Sequence, residues 1–193
     1  ITEFRKLNIE ENIIESDFTF KYDHTKILSK DFKIKIIDFS NSELSDDISV
    51  SEIFTRPYRP IENIINLNYN CKADIWAIGC ILYEVLTGIE LFDDCSEFHK
   101  NDRAKAHLYK ITKTFGPIDT KLIENCELYD EIFYRNKIDL KNLNNCEVLT
   151  FEHQLLNNII FDVEEKTVIE LGDYLKLCFV YNPNMRINCD TLI

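Results

Sequence analysis

At 193 residues with 45% hydrophobic content, this chain can bury one core and shows no sign of a second domain. Its formal net charge of −12 excludes a nucleic-acid surface, which needs clustered lysine and arginine, and suits a basic partner or simply solubility. No stretch nears the roughly 20 apolar residues that span a bilayer, and no leader-like segment opens the chain, so a soluble intracellular protein of nucleus or cytoplasm, with no membrane partner, is expected.

Residues 1–20 read as irregular, and Tyr22 to Ile37 as a short hairpin of two strands. Lys33-Ile34-Lys35-Ile36-Ile37 alternates charged and apolar residues as a half-buried strand does, and it leads into Asp38-Phe39-Ser40. A carboxylate at a strand end is a hard oxygen ligand suited to magnesium, and it equally fits a plain strand-end turn. Thr55-Arg56-Pro57-Tyr58-Arg59-Pro60-Ile61-Glu62 follows. Lys72 to Leu86 is apolar nearly all round, which predicts a buried central helix stopped by Gly88. Asp74, one turn into it, is either an ordinary helix N-terminal carboxylate or a buried charge in need of backbone N–H partners. Ala104 to Phe115 predicts a second helix ended by Gly116-Pro117, and Phe151 to Ile160 a third. Val168, Leu171, Leu175, Cys178 and Phe179 form one stripe, which predicts a further helix over Val168 to Val180 ahead of Asn182-Pro183-Asn184-Met185-Arg186. The seven cysteines lack a C-x-x-C pair and read as reduced thiols, mostly in the core.

In this order and at these spacings, Asp38-Phe39, the run from Thr55 to Glu62, Asp74-Ile75-Trp76-Ala77-Ile78-Gly79 and Asn182 to Arg186 resemble the large lobe of a protein kinase. The Thr-Arg-x-Tyr-Arg run is similar to that of the CMGC group, which includes the cyclin-dependent, MAP, SR-protein and LAMMER (CDC-like) kinases. Three stretches resemble the LAMMER type within it: His107-Leu108 leading to Phe115-Gly116-Pro117-Ile118, Phe133-Tyr134-Arg135-Asn136-Lys137-Ile138-Asp139, and Ser16-Asp17-Phe18-Thr19-Phe20-Lys21-Tyr22. SR-protein kinases are the near alternative. The resemblance covers most of the chain at low identity.

It implies a mainly α fold, a kinase C-lobe with a short β-hairpin at its N-terminal end, residues 1–193 being the C-lobe portion of a kinase domain. The glycine-rich loop, strand lysine and helix glutamate of the small lobe would precede Ile1, which, not being methionine, reads as the start of a piece. The implied function is serine/threonine phosphoryl transfer with ATP and Mg2+ in the complete kinase, and neither is expected to bind this chain alone. Asp38 and Asn12 would be the metal ligands, facing one cleft. Thr55, Arg56, Tyr58 and Arg59 would belong to the substrate-facing activation segment, and Glu62 and Arg186 would form a buried pair anchoring it. Asp74 would brace the catalytic loop. Departures from the pattern favour an alternative, a catalytically dead pseudokinase acting as a binding or scaffold module. Leu7 falls where the catalytic aspartate should be, Ile9 where the phosphate-contacting lysine should be, and Ser40 replaces the usual glycine. Protein substrates rich in arginine and serine would suit the acidic loops. The docking-groove carboxylates of SR-protein kinases fall on Ile89, Ala106 and Lys113, so no such groove is expected.

Overall fold

Apolar residues at helical spacing, punctuated by Gly88 and Gly116, dictate most of the architecture. The computed structural model describes residues 33–42, 53–99, 102–124, 126, 129, 133–134, 137–138 and 149–192. Its helices are α1 (Ile61–Ile64), α2 (Ala73–Thr87), α3 (Arg103–Phe115), α4 (Thr120–Ile123), α5 (Phe151–Asn158), α6 (Glu165–Lys176) and α7 (Cys189–Leu192). Short 3-10 turns lie at Phe39–Asn41, Arg56–Tyr58 and Leu177–Phe179. Gly88 ends α2 at φ 75°, a left-handed conformation that glycine takes without strain, and its N–H donates to the Glu84 carbonyl at 2.7 Å.

The chain divides into two units, Ile1–Ser40 and Asn41–Ile193. In the first, the expected strand over Lys33–Ile37 does not form, and its expected partner from Tyr22 onward lies outside the described residues. Alternation of side chains is only a preference; a strand exists through a hydrogen-bonded neighbour. The N-terminal hairpin is therefore not part of the described fold. The one ladder among the described residues lies elsewhere, a two-residue antiparallel pair of β1 (Phe133–Tyr134) and β2 (Lys137–Ile138), with Phe133 opposite Ile138.

In the second unit, α2 is the hub. It packs against the 3-10 turns at Arg56–Tyr58 and Leu177–Phe179 and against α5 and α6. Trp76 is fully buried, and its indole lies 5.2 Å from the Phe179 ring, 6.3 Å from Phe115 and 6.5 Å from both Phe92 and Tyr181. Edge-to-face and offset aromatic pairs of this kind each add about 0.5–1.5 kcal/mol beyond their area. The sequence predicts α2 buried all round, and here the structure differs. Ile75, Trp76, Cys80 and Tyr83 are buried, whereas Ile78, Ile81, Leu82 and Val85 are 37–48% exposed. Periodicity identified the helix correctly but could not say which faces are covered, because cover depends on neighbours distant in sequence. Cys80, Cys95, Cys126 and Cys178 are buried, Cys71 and Cys189 are exposed, and Cys146 lies outside the described residues. No helix among the described residues is long and apolar enough to cross a membrane.

α2 meets the Leu177–Phe179 turn at Gly79, where a Cβ would lie 2.8 Å from both Cys178 Cβ and Phe179 Cζ. That clash outweighs the gain in helix propensity from alanine, about 1 kcal/mol. Gly79→Ala is therefore expected to lower stability by about 1–3 kcal/mol, the usual range for overpacking, measured by urea unfolding. An unchanged midpoint would show that this contact yields.

Candidate functional site

The segment Phe54–Glu62 enters the helical unit through a proline-shaped path. Pro57 pre-sets the 3-10 turn Arg56–Tyr58, in which Tyr58 N–H donates to Thr55 O at 3.0 Å and Arg59 N–H to Arg56 O at 3.1 Å. Pro60 stands at the N-terminus of α1 with φ −72°, and so places Glu62 in the first helical turn. Phe54 takes a left-handed φ of 63°, unusual for a bulky residue, and the Arg59 guanidinium holds it by donating from Nη2 to the Phe54 carbonyl at 3.0 Å.

A second turn presents the partner of Glu62. Asn182 Oδ1 accepts the Asn184 N–H at 3.0 Å, and the Asn182 carbonyl accepts the Arg186 N–H at 3.1 Å. Arg186 and Glu62 are each 1% exposed, and they meet as a two-pronged fork, Nη1 to Oε1 at 2.8 Å and Nη2 to Oε2 at 2.9 Å. Two further donors are used as well. Nη1 donates to the Lys72 carbonyl at 2.8 Å and Nε to the Val180 carbonyl at 2.9 Å, while the guanidinium carbon sits 5.2 Å from the centroid of the Trp76 ring. Lys72 reciprocates, its Nζ donating to the Arg186 carbonyl at 2.7 Å and the Asn184 carbonyl at 3.2 Å.

Of the other expected site residues, Thr55 is exposed, Arg56 and Tyr58 are half-buried and Arg59 is buried. Asn12, Leu7 and Ile9 lie outside the described residues, so the expected cleft shared by Asp38 and Asn12 is outside them as well. Asp38 has a left-handed φ of 64°, and the Ser40 hydroxyl donates to its Oδ1 at 2.7 Å, the part serine takes where the pattern has glycine. Asp74 is exposed, which corrects the reading of a buried helical charge: it lies on the open side of α2 with Ile78 and Ile81. Partial burial alone holds its carboxyl above the usual carboxylate range.

Three features escaped the sequence reading. Tyr58 donates its hydroxyl to Glu84 Oε2 at 2.7 Å, joining the segment to the last turn of α2. The available signal was a lone glutamate late in an otherwise apolar helix. Beside it, Glu90 is exposed, and desolvation first, then the negative charges of Glu84, Asp94 and Asp93, raise its carboxyl above the ordinary range. Lys110 donates to Asp93 at 2.6 Å and to Glu97 at 3.2 Å, which fastens the acidic loop to α3. Against the opposing pull of desolvation, those bonds hold Asp93 below the carboxylate range and Lys110 above the usual ammonium range. The third feature is His107 on α3, fully buried with neither ring nitrogen hydrogen-bonded. Among the described residues, no group of three or more His, Cys, Asp or Glu side chains could hold a metal ion.

A family model described as the protein kinase domain matches residues 23–193. The dual specificity protein kinase lkh1 of Schizosaccharomyces pombe is 31% identical over 159 residues, 80% of this chain and 22% of that protein. The serine/threonine-protein kinase Doa of Drosophila melanogaster is 30% identical over 190 residues, 92% of this chain and 22% of that protein. The human dual specificity protein kinase CLK4 is 30% identical over 187 residues, 93% of this chain and 37% of that protein. The chain thus spans between about a fifth and two fifths of the length of these relatives.

Removing one partner of a buried ion pair strands the other in a dry interior. Glu62→Ala is expected to lower stability by about 3–5 kcal/mol in denaturant unfolding, since Arg186 cannot reach water. A loss below about 1 kcal/mol would mean that Arg186 finds another acceptor or that water enters.

Proposed function

Because this chain belongs to the protein kinase family and within it resembles the LAMMER, CDC-like kinases of the CMGC group, we propose that residues 1–193 are the large-lobe portion of a serine/threonine protein kinase acting on arginine- and serine-rich proteins. The observation that carries this reading is the buried Glu62–Arg186 fork, which ties Thr55–Arg59 to the helical unit at the place where a kinase of this type presents its substrate-facing segment.

In this reading Asp38 is the first metal ligand and Asn12 the second. Magnesium binds through one or two carboxylates together with phosphate and water oxygens, and a single carboxylate set in a tight turn suits that donor set. ATP would supply the phosphoryl group and magnesium would offset the charge of its phosphates; the chain's own residues orient and hold. Ser40 restrains the Asp38 carboxylate by its hydrogen bond to one oxygen and leaves the other available. Arg59 fixes the backbone at Phe54, and Tyr58 leans on Glu84, so the segment between them is held at both ends.

The preference for basic substrates is supported by charge. Glu84, Glu90, Asp93 and Asp94 lie near one another, close to Tyr58, in a chain of net charge −12. Arginine side chains placed against such carboxylates gain charge-assisted hydrogen bonds. Ile89, Ala106 and Lys113 offer no carboxylates for the docking groove of SR-protein kinases, so recognition rests on the cluster beside Tyr58.

A binding module without transfer is the second reading. Leu7 and Ile9 favour it, because they put apolar side chains where the base and the phosphate-binding lysine stand in the family pattern. Phosphate transfer from magnesium–ATP to an arginine–serine peptide by the complete protein, small lobe included, compared with its Asp38→Ala variant, separates the two. Transfer that the variant loses supports the kinase reading, and peptide binding without transfer in either protein supports the module. In both, peptide affinity is expected to fall steadily as salt rises, and Glu90→Gln to weaken binding about two- to fivefold at low salt. An affinity indifferent to salt and to Glu90 would remove the basic-substrate proposal.

A further inference from the structure

The loop between α2 and α3 carries the carboxylates of Glu90, Asp93, Asp94 and Glu97, and a cation from α3 reaches into it. Lys110 Nζ donates to both oxygens of Asp93 at 2.6 Å and to Glu97 Oε1 at 3.2 Å, and it stands 5.8 Å from the centroid of the Phe98 ring. Its side chain is 12% exposed, against 57% for Asp93 and 53% for Glu97. An ammonium so far withdrawn from water depends on those acceptors.

Backbone bonds and core contacts decide which carboxylates remain. Thr87 Oγ1 donates to the Ile89 carbonyl at 3.2 Å, and Leu91 and Phe92 are buried in the core. Cys95 is buried in a small apolar cluster with Ala106 of α3, and its left-handed φ of 52° is uncommon for a residue other than glycine. Such a backbone persists where its surroundings hold it. The Cys95 N–H donates at 2.9 Å to Asp93 Oδ1, an oxygen that Lys110 also holds. Phe98 N–H donates to the Cys95 carbonyl at 3.1 Å, and Arg103 Nε to the Phe98 carbonyl at 3.3 Å. Glu90 and Asp94 are the exposed carboxylates of the loop that Lys110 does not hold. Asp94 Oδ1 accepts the Ser96 N–H at 2.9 Å and feels the charge of Arg103, whereas the charges bearing on Glu90, from Glu84, Asp94 and Asp93, are all negative.

We propose that Lys110 is a positioning residue for basic substrates: by tying Asp93 and Glu97 to α3, it fixes the loop so that Glu90 and Asp94 are presented to an arginine side chain. The proposal rests on the reading of the carboxylates beside Tyr58 as the substrate-facing cluster. Two effects of the lysine oppose each other. Its charge weakens the pull of the cluster on any cation, and its bonds hold the loop in shape. The first effect is screened by salt over about 8 Å at physiological ionic strength. The second acts at contact, where a hydrogen bond to a guanidinium needs a carboxylate already in place, and a loop that must be ordered by its ligand binds more weakly. Removing this cation should therefore weaken, not strengthen, the binding of a basic peptide.

Calorimetric titration of the complete protein, small lobe included, with an arginine–serine peptide at low salt tests this. Lys110→Met makes the protein one charge more negative, yet it is expected to bind the peptide about three- to tenfold more weakly, with Lys110→Arg within about twofold of wild type. In a background carrying both Glu90→Gln and Asp94→Asn, Lys110→Met is expected to change affinity by less than about twofold, because the carboxylates it positions are gone. Should Lys110→Met fail to fold, Asp93→Asn and Glu97→Gln decide, since each removes one negative charge. Asp93→Asn, which loses the shorter bonds, is expected to cost at least about three times more affinity than Glu97→Gln. Tighter or unchanged binding by Lys110→Met, an undiminished loss in the background without Glu90 and Asp94, or equal losses from the two carboxylate variants overturns the proposal. Each of these leaves the substrate reading standing so long as the wild type binds the peptide in a salt-dependent way. A wild type without such binding overturns both.

Discussion

A guanidinium with no exposure to water must find acceptors for its N–H groups inside the protein, and Arg186 finds them on three separate stretches of chain. Glu62 supplies two oxygens, Lys72 and Val180 one backbone carbonyl each, and Trp76 lies against the guanidinium as an aromatic neighbour. If any one of these stretches moves, a buried charge is left partly unsatisfied, and the penalty is steep because water cannot compensate. Set against a hydrophobic replacement such a pair adds little net stability. Its consequence is geometric: the start of α2, the turn at Asn182–Arg186 and the entry to α1 can meet in only one arrangement. Lys72 reinforces it from the other side through two carbonyls of the same turn.

The segment Phe54–Arg59 inherits its position from that junction. Glu62 fixes one end through α1, and upstream of it Tyr58 reaches α2 at Glu84 while Arg59 curls back to the Phe54 carbonyl. Buried Pro57 and the packing of Tyr58 on the core hold this short stretch, and the polar bonds add to that, since local stability follows local burial and bonding. The acidic loop after α2 is fastened to α3 by Lys110.

Much of the helical architecture is legible in the sequence because the signals are local. Gly88 and Gly116 stop α2 and α3 where the pattern predicts, and the stripe from Val168 to Phe179 becomes α6 followed by a 3-10 turn. What escaped depends on partners far along the chain. The alternation at Lys33–Ile37 is genuine but finds no ladder among the described residues. Asp74, Ile78 and Ile81 fall on an open face that no helical period could reveal. The Glu62–Arg186 junction joins positions 124 residues apart, and only the likeness to a kinase lobe connects them in advance. Glu84 and His107 carried faint local signals: a lone carboxylate in an apolar helical stretch, and a histidine spaced four residues from the buried Ile111.

The central claim is that Glu62 and Arg186 act as one buried unit on which the position of Phe54–Arg59 depends. A double-mutant cycle of Glu62→Ala, Arg186→Met and the pair, read by urea unfolding, measures that directly. Strong coupling is predicted, above about 1.5 kcal/mol, with the double variant less damaged than the sum of the singles because no charge is left stranded. Stability losses that add to within about 0.5 kcal/mol would show two independent side chains and contradict the account.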